Sequence, residues 1–126
     1  LPLVVNILIR VVHNSVVYSQ SEIGENTIFA YGGIGVVLHR RVVVGRRCMI
    51  GSNVTIGGRS KSLSVPVIGD DVYIATGAKI LGDVVVGNNC VIGANAVVIS
   101  DIREGSMVVG VPAKVIRVGI YSKDFY

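Results

Sequence analysis

The chain has 126 residues, enough for one domain, and is 51% hydrophobic with no Trp and two Phe, so Val, Ile, Leu and Ala must supply its core. Sixteen Gly against three Pro point to many tight turns rather than disorder. A net charge of +4 is mild, and no aromatics interleave the basic pairs Arg40–Arg41 and Arg46–Arg47; nucleic acid is excluded in favour of a small anionic molecule.

In chain order, residues 1–16 form a first segment, apolar from Leu1 to Val12 except at Asn6 and Arg10. It is shorter than the ~20 residues of a membrane span. It also lacks the basic start and small-residue cleavage site of a signal peptide. A short capping element is predicted, with a cytoplasmic location by default. The chain opens at Leu1 without Met and reads as a fragment whose N-terminal part is missing.

From about residue 17 to 110 the pattern is a period of six. Six unbroken hexapeptides run from Ile68 to Arg103, opened by Ile68, Ile74, Ile80, Val86, Ile92 and Val98. Such a period is neither helical nor strand-like and marks a solenoid. The fifth positions are small or aliphatic (Val72, Ala78, Val84, Cys90, Ala96). The third and fourth carry bend formers such as Asp70–Asp71, Thr76–Gly77 and Asn88–Asn89. Three hexads close one coil, with first and fifth positions inward.

The same phase reaches back through Ile56, Ile50, Val44 and Leu38, and an earlier hexad opens at Ile23. Tyr31–Gly35 then breaks the phase. Ile56 and Ile68 stand two hexads apart, but the stretch between them lacks apolar pattern, so residues 58–66 are predicted as a bulging loop. The expected fold is all-β: a parallel β-helix of about five coils, roughly 25 Å tall at ~4.8 Å per coil. The segment 111–126 closes its far end.

Cys48 and Cys90 both fall at fifth positions and read as small buried hydrophobes rather than redox centres. Gly33-Ile34-Gly35 lacks the third Gly and the helix of a dinucleotide fingerprint. Two His in the whole chain cannot supply a three-histidine zinc site, and no metal is expected.

The hexads, the segment Val54–Gly58, the run Ile74–Gly82 and the closing Val109-Gly110-Val111-Pro112-Ala113-Lys114-Val115-Ile116-Arg117 together resemble the hexapeptide-repeat acyltransferases. The likeness is to their serine acetyltransferase-like branch, which includes sugar O-acetyltransferases of surface-polysaccharide pathways. It implies a left-handed β-helix, a homotrimer and acetyl-CoA bound between neighbouring prisms. Carried over by position, the cofactor contacts fall on Gly57, Gly58, Ala75, Thr76, Ala94, Lys114 and Arg117. Small residues would let a pantetheine arm lie against backbone amides, and cations would suit the phosphates. The alternative for the Gly and Ala positions is plain turn geometry.

The sequence also departs from that family. An Asp-His pair is replaced by Ala30–Tyr31 or Tyr31–Gly32, a second His before Pro by Val65, and a carboxylate-binding Arg by Ser64. The resemblance therefore implies O-acetyl transfer to a sugar hydroxyl. Serine O-acetyl transfer is the alternative within the class, and a catalytically silent trimeric scaffold the alternative outside it.

Acetyl transfer to an alcohol needs a base near neutral pKa. His13 lies outside the repeats, whereas His39 is the second residue of a hexad. Counting by eighteen stacks His39 under Gly57, Ala75 and Gly93, about 14 Å apart end to end. His39 is thus the candidate base at the thiol end of a groove; the competing reading is a turn residue in place of Gly. Tyr31 would shape an acceptor pocket or cover a corner. Arg59 and Lys61 would meet an acidic acceptor sugar or a neighbouring subunit, or simply be solvated.

Overall fold

A computed structural model describes residues 1–126. A helix, α1 (Pro2–His13), is followed by short strands laid down coil by coil. The first coil holds β1 (Glu22–Ile23), β2 (Ile28–Phe29) and β3 (Val37–Leu38). The second holds β4 (Val43–Val44), β5 (Met49–Ile50) and β6 (Thr55–Gly57). In the third come β7 (Val67–Ile68), β8 (Tyr73–Ile74) and β9 (Lys79–Leu81). The fourth holds β10 (Val85–Val86), β11 (Val91–Ile92) and β12 (Val97–Val98), with β13 (Met107–Val109) and β14 (Lys114–Arg117) beyond it.

The strands stack into three parallel sheets. Face 1 runs β1-β4-β7-β10, face 2 runs β2-β5-β8-β11-β13 with β14 antiparallel at its end, and face 3 runs β3-β6-β9-β12. Four complete coils result, with partial coils at both ends where Val16 bridges Val37 and Ile102 bridges Val86. The expectation of about five coils therefore reduces to four and two part-turns, because before β1 only Val16 bridges and beyond β12 only Ile102 and β13 continue the parallel stacking.

The period of six sets the core. Every first-position residue from Leu38 to Val98 and every fifth-position residue from Val42 to Ile102 named by the repeat is buried. Together with Val36 and Val108 they form one cluster of 21 buried residues running the length of the prism. Each buried Ile or Val contributes about 2 kcal/mol of transfer free energy. With no large aromatic inside, coils of equal width can stack without distortion.

Two of the three corners turn through a left-handed residue at the fourth position. Between faces 1 and 2 these are Asn26, Arg47, Asp71 and Asn89; between faces 2 and 3 they are Asn53, Gly77 and Asn95. Asn, Asp and Gly tolerate positive φ, which is why they recur there. The corner between faces 3 and 1 has no such ladder: only Gly82, at the third position, and Lys61, in the loop, have positive φ. The loop after β6 leaves from this third corner.

That loop is a six-residue insertion. Val43 pairs with Val67, 24 residues on, whereas Val67 pairs with Val85, 18 on. The chain returns with Pro66 buried in the place of a fifth-position residue, so the sheets continue in register.

Helix α1 has no buried residue. Asn6 faces the solenoid, its Oδ1 accepting from the Ser19 amide at 2.8 Å and its Nδ2 donating to Gln20 at 3.2 Å. Leu3, Val4, Ile7, Leu8 and Val11 are exposed, Leu3 and Ile7 beside a cavity shared with Val16 and Tyr18. The segment expected to cap the prism is thus a helix, whose partly covered residues are Val5, Asn6 and Ile9. No helix of the chain is long and apolar enough to cross a membrane.

Candidate active site

The third corner carries the largest concavity, an open groove of about 570 Å³ lined by Tyr18, His39, Arg40, Arg41 and Gly57 over a floor of Leu38 and Ile56. Hydrogen bonds from strand to strand fix its base: the His39 amide donates to the Ile56 carbonyl at 2.9 Å. The His39 ring is half-buried there. Its Nδ1 accepts the Arg41 amide at 3.1 Å, which leaves the neutral ring with its proton on Nε2. Arg40 stacks its guanidinium 4.9 Å above the Tyr18 ring, and Arg41 donates to the Leu63 carbonyl at 2.6 Å, tying the loop to this corner. The methylenes of Arg59 lie against Gly82, so the loop folds up along the same edge.

Gly57 differs from the other glycines of the prism. A Cβ built on it meets nothing within 4 Å, and its φ is not positive. Gly58 is nearly as open, with only a Val65 methyl at 4.0 Å. By contrast, a Cβ on Gly77 would lie 2.0 Å from Asn95 Oδ1. The fold requires Gly77 to be small; nothing inside this chain requires it of Gly57.

The stacking expected for His39 is only partly right. Gly57 does lie over it, but Gly57 pairs with Leu81, not Ala75. The six inserted residues bulge out without advancing the chain around the prism, so a count of eighteen across them lands on the neighbouring corner. Ala75, Thr76, Gly93 and Ala94 occupy the corner between faces 2 and 3, above Gly51 and Ser52. Thr76 Oγ1 donates to the Ser52 carbonyl at 2.9 Å and lies 2.9 Å from Ser52 Oγ.

The expected cofactor residues therefore fall in two columns separated by face 3: Gly57 and Gly58 with His39 on one, Ala75, Thr76 and Ala94 on the other. Lys114 and Arg117 sit on β14 at the far end of face 2, where β14 pairs with β13. All four β14 residues are exposed.

The second imidazole is closer to the prism than sequence suggested. His13, at the end of α1, packs over Gly32, with its Nδ1 3.4 Å from where a Cβ of that glycine would stand. It thus reaches the break at Tyr31–Gly33, where Tyr31 itself is left-handed at φ 54° and 86% exposed. No periodic signal marks this approach, because α1 lies outside the repeat.

Cys48 and Cys90 are buried, and burial pushes both thiols up from their ordinary values. Their Sγ atoms rest on backbone carbonyls of Gly69 and Arg103 at 3.1 and 3.2 Å. Both are core residues, as expected from their hexad position.

Residues 66–100 match the family described as bacterial transferase hexapeptide, six repeats. Repeat and coil architecture together match a left-handed β-helix acyltransferase fold. Among solved structures, it is similar to soybean serine acetyltransferase complexed with serine, at 33% identity over 90% of this chain and 47% of that one, with a TM-score of 0.84. It is likewise similar to serine acetyltransferase from Brucella abortus strain S19 in complex with coenzyme A, at 30% identity over 89% and 45%, TM-score 0.83. A third is serine acetyltransferase of Neisseria gonorrhoeae, at 34% identity over 84% and 42%, TM-score 0.78. The chain spans just under half the length of such structures. No curated protein sequence matches it.

Proposed function

We propose that this chain is the transferase portion of an acetyl-CoA-dependent O-acetyltransferase, with serine as the favoured acceptor. The observation that carries the reading is the likeness, across nine-tenths of the chain, to serine acetyltransferases, one holding coenzyme A. The open glycine at position 57 beside the groove imidazole supports it from within this chain. A sugar hydroxyl is the second reading, favoured by Ser64 and by the Ala30–Tyr31 corner, which lack the carboxylate-binding Arg and the Asp-His pair of the serine branch.

In the reaction, the acceptor oxygen attacks the thioester carbonyl carbon, its proton passes to a base, and the carbon–sulfur bond breaks to release CoA. His39 is the base of this reading. Because its Nδ1 holds the Arg41 amide, the ring must turn and release that amide before it can take a proton. A backbone amide at Gly57 or Gly58 holds the oxyanion. The two columns meet across one cleft only if they come from neighbouring copies, which is why a homotrimer belongs to the proposal. Lys114 and Arg117 then take the nucleotide phosphates at the far end.

The test is CoA release with acetyl-CoA and a panel of serine, sugars and nucleotide-sugars, alongside calorimetry with CoA alone. Release with serine and not with sugars is expected. Release only with sugars selects the second reading. No heat with CoA and no release with any acceptor makes the chain a silent scaffold and ends the proposal.

A further inference from the structure

The C-terminal segment leaves β14 and runs back down the prism. Asn89 donates from Nδ2 to the Ile120 carbonyl at 3.0 Å and accepts the Ser122 amide on Oδ1 at 2.7 Å. Ser122, fully buried, donates its hydroxyl to the Asp71 carbonyl at 2.6 Å. Tyr126 finally donates to the Arg47 carbonyl at 3.1 Å. Asn89, Asp71 and Arg47 are left-handed residues of one corner in the fourth, third and second coils, so the segment descends that corner rung by rung.

At its lower end it crosses face 2. The Tyr126 ring packs on Tyr73 with centroids 5.0 Å apart and planes at 42°. Beyond that contact Tyr126 lines a cavity of about 330 Å³ together with Tyr31, Tyr73, Ser52 and Thr76. This cavity opens on the column of Ala94, Thr76 and Ser52. Two coil rises separate Ala94 from Ser52, roughly 10 Å, so an arm descending from Lys114 and Arg117 along this column would end there.

The cavity has a defined polarity. Thr76 donates its hydroxyl proton to the Ser52 carbonyl, so Ser52 must donate its own to Thr76 Oγ1. Both protons are spent inside the pair, and Ser52 Oγ offers lone pairs only. It accepts a donor from whatever enters, while three tyrosine rings cover the carbon face. The left-handed Tyr31, at φ 54°, is held at the rim.

We propose that Tyr126 is a specificity-determining residue: the C-terminal segment delivers its ring as one wall of the acceptor subsite at the thiol end of the cofactor column. The acceptor there is a small molecule with a hydrogen-bond donor, hydroxyl or ammonium, directed at Ser52 Oγ. This rests on the acetyl-transfer reading above.

The test compares wild type with Tyr126→Ala, Tyr126→Leu and Tyr126→Phe, using serine and a hexose as separate arms. Steady-state KM is measured for each acceptor and for acetyl-CoA. The chain has five Tyr and no Trp, so quenching of tyrosine emission reads acceptor binding without turnover. Loss of the ring should raise the acceptor KM at least tenfold while the acetyl-CoA KM stays within twofold, and Tyr126→Phe should restore it to within threefold. Tyr126→Leu keeps apolar cover over Tyr73 and serves if the alanine variant unfolds in a circular-dichroism melt. An unchanged acceptor KM in an active Ala or Leu variant overturns the wall, as does an equal rise for acetyl-CoA. If wild type releases no CoA, the acetyl-transfer reading has failed. Quenching by serine or hexose that Tyr126→Leu abolishes would then still support the subsite, and its absence in wild type would overturn it.

Discussion

The Arg41 amide donates to His39 Nδ1 across 3.1 Å, which makes the one groove imidazole a turn-closing acceptor as well as a candidate base. The two roles separate by substitution. Asn at position 39 can accept the amide two residues on through its side-chain oxygen but cannot take a substrate proton. His39→Asn should melt within a few degrees of wild type and lose at least a hundredfold in kcat. His39→Ala should lose the same activity and about 1 kcal/mol of stability besides. Full turnover in His39→Asn would assign the histidine to the turn alone.

Gly57 and Gly77 should behave oppositely on substitution. Ala at 77 meets Asn95 Oδ1 at 2.0 Å and is held at φ 75°, so a loss of about 2 kcal/mol or more is expected. Ala at 57 meets nothing, and its melting temperature should not move. Its effect should be confined to a raised acetyl-CoA KM. A stability loss in Gly57→Ala comparable to Gly77→Ala would remove the case for Gly57 as a groove residue.

Excision of residues 59–64 should leave the fold intact. It rejoins Gly58 to Val65 and restores an ordinary hexad in which Pro66 keeps the fifth position. Loop-closure cost changes little over six residues, by under about 1 kcal/mol. Removing three residues instead would throw the following first-position residues out of the core. Circular-dichroism melts of the two deletions should differ sharply.

The buried thiols give a pH prediction. Burial raises both cysteines in the folded chain, so the folded state holds these protons to higher pH than the unfolded chain does. Stability is therefore intact below the free thiol value, about 8.5, and falls as pH rises beyond it. At neutral pH neither thiol should react with an aromatic disulfide reagent without denaturant. Rapid titration of two thiols in the native protein would contradict the packing.

Asp71 titrates on the acid side. Its bidentate hydrogen bonds from Arg47, at 2.9 and 3.0 Å, hold its carboxyl below the ordinary range. The resulting stability is present above about pH 4 and fades as pH falls through the lowered value. Both groups are partly solvated, so the effect is modest and salt-sensitive. Asp71→Asn should lower the melting temperature at pH 7 and leave it unchanged near pH 2.

The period of six exposed the core almost completely, since burial at first and fifth positions is the same physical demand repeated ten times. The loop was equally visible, as a gap in that demand. Its consequence for Ala75 and Gly93 was hidden, because six residues are invisible to a six-residue period yet displace an eighteen-residue one by a whole side. His13 and Tyr126 were out of reach for another reason. Both arrive on segments without periodicity, placed by single contacts with Gly32 and with Asn89, Asp71 and Arg47.

In a prism of this kind a residue has an address made of a side and a floor. The loop after Gly57 leaves every floor stacked and every core position filled, and it moves no later residue to another side; only the count from sequence position to address changes. One edge of the molecule can thus gain or shed a six-residue bulge while the chemistry on the floors above keeps its address.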